Sequence, residues 1–314
     1  MVSTVGHTAG TCHFIWKEKY EGSKFMKVAV ATDTNSSMTQ KDARKKGVYL
    51  LPMPVIVEEK VYLEGIDITN AQLYAAMKAH KEVSSSQPSP GQLVEFWDSI
   101  FKDGYDEVVY IPMSSGLSNA CFNAVQLAKD YDGKVQVVDN HRISLTQEAS
   151  VISACKLAQQ EKSAAQIKAY LEERAYDASI YITVDSMEYL RKGGRVTPAA
   201  ATFATVLNLK PVLTIQGDKL DTYAKARGMQ QAELKMIEAI RKDRTTRFAN
   251  VPDEELRVET AGTFDNADKA KRWRKMVQAE FPTIKVSYVD LPCSIACHLG
   301  INAAGTGILK KEVV

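Results

Sequence analysis

The chain has 314 residues, 45% hydrophobic and 25% charged, with a formal net charge of +2. That length fits two domains of ordinary globular composition, with core enough for a ligand cavity. The near-balanced charge gives no reason to invoke nucleic acid or an anionic membrane, and no apolar run reaches the ~18 residues of a bilayer span. The five cysteines are odd in number and too sparse for a disulfide framework, so a reducing cytoplasm is the expected compartment. Residues 1–25 lack the apolar core of a secretory signal and are set apart as a disordered extension.

From Lys27, "KVAVATD" predicts a buried strand, and "TQKDARKKG" a short helix closed by Gly47. "VYLLPMPVIV" is extended but interrupted by Pro52 and Pro54, which suits an edge or an irregular stretch. Thr69 and Ser89 are placed to cap two helices, the second with Pro90 in its first turn. "DEVVYIPM" is then a strand, "SNACFNAVQLAKDY" a helix, "KVQVVD" a strand, and two helices run from Ser144 to Ala175. Beyond Ser163 strand and helix signals alternate again, from "ASIYITV" through "PAAATFATVLN" and two strands turning at Gly217–Asp218 to "IKVSYVD". This alternation predicts two α/β domains, the first with a mainly parallel sheet, over residues 26–162 and 163–314.

Polar clusters recur after the strands. "TDTNSS" starts at Thr32, "SSSQPSPG" at Ser84, "PMSSGLSN" at Pro112 and "DNHR" at Asp139. Open parallel sheets bind ligands beyond the carboxyl ends of their strands, and serine-rich turns that open helices offer hydroxyls and amides to an anionic oxygen. Helix capping alone explains any one of these clusters. Phosphate-loop, dinucleotide and nucleophile-elbow motifs are missing. "CSIACH" from Cys293 has the wrong spacing for a usual zinc site, and its cysteines read as small buried residues. "YLRKGGR" from Tyr189 gathers Arg191, Lys192 and Arg195 around two glycines, either as a capped helix end or as a cationic surface.

In their order and spacing, "TDTNSS", "SSQPSPG", "PMSSGLSN", "VVDNHRIS", "YLRKGGRVTPAAA", "LNLKPVL" and "CHLGINA" resemble the DegV family over about residues 27 to 314. The resemblance implies a two-domain carrier with one long-chain fatty acid between its domains. Such a carrier has no cofactor and no catalysis of its own, and serves a separate bacterial fatty-acid kinase that makes acyl phosphate for phospholipid synthesis. It implies Ser85, Ser86, Ser114, Ser115, His298 and Gly300 around the fatty acid, with Asp33 organising the serine loops. Arg195 and Arg191 would face the phosphorylation site or the partner, and transient membrane contact is compatible with the role. Three departures stand out: "HLGIN" replaces the family's His-x-Gly-Pro-Gly, Asn119 stands at a usual glycine, and Ser85 at a frequent threonine. Two readings outside the carrier class stay open: a small-molecule phosphotransferase or hydrolase using His298 or a loop serine, and a lipid-responsive regulator. The apolar helix Ala201–Leu209 is the candidate tunnel wall.

Overall fold

The computed structural model describes residues 26–201, 209–215 and 219–311. Strand β1 (Val28–Asp33), buried beyond its first residue, turns through a 3-10 segment at Thr34–Ser36. Helix α1 (Gln40–Lys46) starts at the Thr39 cap and stops where Gly47 takes a φ of 69°, which a Cβ disfavours. The extended stretch around Pro52 divides into β2 (Tyr49–Leu51) and β3 (Pro54–Val57), which join different sheets. Strand β4 (Lys60–Leu63) pairs back on β3. Helix α2 (Asn70–Lys78) opens with a capping box of Thr69 and Gln72. The next segment, β5 (Val83–Ser85), carries two of the serines expected in a loop. Helix α3 (Pro90–Lys102) opens with a second capping box, Ser89 with Gln92. Strand β6 (Glu107–Ile111), α4 (Ala120–Ala128), β7 (Val135–Val137), α5 (Leu145–Gln159) and α6 (Ala164–Glu173) complete this half.

The second half runs β8 (Ala178–Thr183), α7 (Glu188–Gly193), α8 (Pro198–Ala201), β9 (Leu209–Ile215), β10 (Asp221–Arg227) and α9 (Met229–Thr245). It continues through β11 (Leu256–Gly262), α10 (Ala267–Glu280), β12 (Val286–Asp290), α11 (Cys293–Leu299) and β13 (Ala304–Lys310). The Gly217–Asp218 turn, the extension 1–25 and residues 202–208 of the expected tunnel wall lie outside the described residues.

The first sheet, β2-β1-β6-β7, is wholly parallel, as its alternating pattern predicts. Alternation along β1 sends Val30 to a core with α5 and α6, and Ala29 and Ala31 to a core with Trp97 of α3 and Ala124 of α4. The boundary expected at 162/163 falls between two helices that pack on this same sheet, since Ala164, Ile167 and Leu171 share a core with Val30 and Val109. The second sheet, β10-β9-β8-β13-β11-β12, is antiparallel except for β11 with β12. Helices α9 and α10 cover one of its faces. Its other face meets α7, α11 and four residues of the first half, Met113, Leu117, Ile143 and Leu145. A small antiparallel sheet, β4-β3-β5, packs with α2 against α11.

Candidate functional site

The open face of the second sheet and the loops of the first enclose a cavity of about 1020 Å³, mouth included. Met53, Met113, Leu117, Ile143 and Leu145 come from one side, and Ile180, Ile182, Ile215 and Ala261 from the other. The wall is therefore mainly aliphatic, with one cluster of polar groups where α11 meets the first half and Glu259 apart from it.

Helical spacing explains that gathering. Ser294 and His298 are four residues apart on α11, as are Ile295 and Leu299, and all four line the cavity. The polar pair faces the first half of the chain. His298 Nε2 lies 2.9 Å from Ser85 Oγ, and Ser294 Oγ lies 3.0 Å from Asn35 Oδ1. The Asn35 amide nitrogen is buried on the side of the Asp33 carboxylate, whose charge it favours. The α11 N-terminus is held by buried Glu64, which accepts from Ser294 N–H at 2.9 Å and from the Thr34 hydroxyl, tying the second half to β1's turn. Burial raises Glu64's pKa, against these hydrogen bonds. Burial pushes the His298 pKa down to about 4, and the Arg195 guanidinium adds to the shift, so the imidazole is neutral at ordinary pH.

The expected site residues separate into groups. Ser85, Ser86 and His298 line the cavity. Ser114 and Ser115 do not. Buried Ser114 accepts the Gly116 N–H at 3.2 Å and closes its own turn, while exposed Ser115 gives its N–H to Asp139 at 3.2 Å. The turn instead presents Ser118, three residues further on. Asp33 is buried below these loops. Its carboxylate accepts from Met113 N–H at 3.2 Å, Asn35 N–H at 3.0 Å and Gln147 Nε2 at 3.1 Å, so it fixes the starts of both polar turns. Burial outweighs those donors and pushes Asp33 up to about 6.

Arg195 stands at the mouth, bordering both the cavity and a shallow depression shared with Gln87, Ser118 and Asn123. Its guanidinium donates to Leu117 O at 3.3 Å and to Gly193 O. Arg191 is exposed and lines neither space. A Cβ on Gly193 would collide with His298 Nδ1, which accounts for the first glycine of "KGGR". Gly300 does not line the cavity but sets its frame: it has a φ of 76°, and a Cβ there would meet the Tyr189 ring. The unusual "HLGIN" turn closes on Thr263, which donates to Gly300 O at 2.6 Å, and Asn302 adopts a φ of 65° that asparagine tolerates. Asn119 has an ordinary helical φ of −70°, so no glycine is required there. Cys293 and Cys297 are buried in the core beneath the small sheet, where Cys293 Sγ donates to Asn70 Oδ1 at 3.0 Å and Cys297 Sγ to Ser84 O at 3.4 Å. Among the described residues no three His, Cys, Asp or Glu side chains are placed to hold a metal ion, and no described helix is long and apolar enough to cross a membrane.

Asn35, Glu64, Ser118 and Ser294 are the residues that sequence reasoning missed. "TDTNSS" and "CSIACH" pointed to their neighbourhoods, but only the packing of α11 shows which side chains converge.

Residues 27–311 match the family model described as "Uncharacterised protein, DegV family". A DegV domain-containing protein of Deinococcus radiodurans is 31% identical over 218 residues, 69% of this chain and 77% of that one. A DegV domain-containing protein of Listeria innocua is 28% identical over 283 residues, 89% of this chain and 97% of its own length. Among solved structures, a DegV family protein of Thermus thermophilus, described for its fatty acid binding, matches with a TM-score of 0.80 at 26% identity, covering 91% of this chain and 100% of that one. DegV of Bacillus subtilis, a fatty acid binding protein, matches with a TM-score of 0.79 at 25% identity over the same shares, 91% and 100%. With its parallel first sheet and its model match across nearly the whole chain, the protein belongs to the DegV family.

Proposed function

We propose that the protein is a fatty-acid carrier of two lobes, meeting near residue 177, with the acyl chain in the cavity between them. The observation that carries this reading is a mainly aliphatic cavity with a cluster of hydrogen-bonding side chains where α11 meets the first half. There the Ser85–His298 pair and Asn35 border the same space. A fatty-acid tail gains roughly 0.8 kcal/mol per buried CH₂, about 10 kcal/mol gross for a long chain. Its carboxylate tolerates leaving water only if several donors receive it. The Ser85–His298 pair supplies one proton beyond its own hydrogen bond, and Ser86 and Asn35, also in the cavity lining, add a hydroxyl and an amide. Ser114 and Ser115 act by shaping the turn that carries Leu117 and Ser118.

In the same reading Arg195 marks where a separate kinase subunit reaches the carboxylate. Its charge lies between cavity and depression, where a transferred phosphoryl group would need it. Catalysis by this chain alone is disfavoured by His298. A Ser85 nucleophile would need a base with a pKa near the working pH and an oriented imidazole. The His298 pKa is pushed to about 4, and a cation, not a carboxylate, is the charge that shifts it. The test is direct: purified protein is denatured and its lipid extract analysed by mass spectrometry, and delipidated protein is titrated with oleate. Stoichiometric fatty acid and saturable oleate uptake are expected. Neither lipid nor uptake would remove the proposal.

A further inference from the structure

The far end of the cavity holds a polar group that the carboxylate end does not use. On the cavity face of the second sheet, Ala261, Gly305 and Ile182 form one lateral row, and Glu259, Gly307 and Ile180 the next. The two rows lie about 7 Å apart along the strands. One row further on, Leu309 and Ala178 pack against Ala149 of α5 and close the space. Helix α11 and His298 stand at the opposite end, where Leu291 N–H bonds Gly262 O. Glu259 thus occupies the last open row.

Glu259 is 1% exposed. Its Oε1 accepts from the Arg257 guanidinium and, at 3.4 Å, from the Ser287 hydroxyl. Its Oε2 is buried with no hydrogen-bond partner among the described residues. A methyl-ended chain would leave that oxygen unpaired, across Gly307 from Ile180, and buried polar atoms are seldom left so. Building on the carrier reading above, we propose that this end is a second polar subsite, which takes a hydroxyl carried toward the tail of the acyl chain, with Glu259 Oε2 as acceptor. Arg257 and Ser287 hold the other oxygen, so the carboxyl is fixed before the ligand arrives. Burial pushes Glu259 up to about 7 against Arg257, with the charge of Glu148 adding to the rise. A hydroxyl donor favours the ionised form and works against that rise. Sites built to bond a hydroxyl discriminate strongly against analogues that lack it, because their own polar group is then left unpaired.

The test uses delipidated full-length protein titrated with hexadecanoic, 16-hydroxyhexadecanoic, octadecanoic and 12-hydroxyoctadecanoic acids. At least one hydroxy acid should bind about tenfold more tightly than its parent. Glu259→Leu should abolish that preference, and Glu259→Gln, close in shape but a weaker acceptor, should reduce it several-fold. Binding of both plain acids with no preference for either hydroxy acid overturns the subsite and leaves the carrier standing. A preference undiminished in a folded variant also overturns it. Failure to bind any of the four acids overturns the subsite together with the carrier.

Discussion

At the scale of single residues, the two glycines of "KGGR" have different reasons. Gly194 has a φ of 66° with open space where a Cβ would stand, so Gly194→Ala meets only left-handed strain, about 1–2 kcal/mol. Gly193 has no such φ, but its Cβ would push on the His298 ring. Gly193→Ala should therefore displace the imidazole from Ser85 and lower the fatty acid retained on purification several-fold, while Gly194→Ala keeps it. Lipid quantification beside a melting curve for each variant separates the two. His298 also makes a pH prediction. Its folded pKa of about 4 lies below the ordinary imidazole value of 6.5, so as pH falls the unfolded chain takes up the proton first. The stability tied to a neutral His298 is complete above pH 6.5 and lost as pH drops toward 4, at most about 3 kcal/mol at roughly 1.4 kcal/mol per unit. Denaturant melts from pH 7 to 4 should show a shallower acid-side fall for His298→Gln than for the wild type. An equal fall in both would mean that the imidazole titrates normally.

At the scale of elements, β13 shows what was legible in the sequence and what was not. Helices with explicit caps were readable: Thr69 and Ser89 each start one, and Gly47 stops another. The parallel order of the first sheet followed from alternating strand and helix signals. Strand β13 was not read, because "AGTGILK" has two glycines and little β-branching, yet it lies between β8 and β11 at the centre of the second sheet. Helix α11 was missed because it is only seven residues long with no capping side chain of its own, its N-terminus being served by Glu64 from 230 residues away. The serine turns announced a polar site, but backbone geometry decides that Ser118 and not Ser115 reaches the cavity. The glycines that hid β13 are also part of its function. A Cβ on Gly305 would make only ordinary contacts, none closer than 3.7 Å, on the face shared with Ile182 and Ala261. Gly305→Leu should then fill the cavity without opening the sheet. Circular dichroism and melting should stay near wild type while oleate uptake falls at least tenfold. Unchanged uptake would place the acyl chain elsewhere.

At the scale of the whole molecule, the cavity is a seam. Its walls come from both halves, and polar ties cross it, among them Glu64 and Asn35 to Ser294, Ser85 to His298, and Arg195 to Leu117 O. A chain lying in the seam touches both walls, so under the carrier reading its binding free energy becomes stability of the two halves together. Linkage sets the size: ligand at a thousand times its dissociation constant adds about 4 kcal/mol to unfolding. The protection should also be shared. Amides of β8 and β13 and those of the turns after β1 and β6 should slow in hydrogen exchange together on loading with oleate, since opening either side exposes the same chain. Delipidated protein should show both groups exchanging faster and a lower melting temperature that recovers with added oleate. Protection confined to the second sheet would mean that the ligand lies on one wall only, and the first half would then serve as a lid rather than as half of the site.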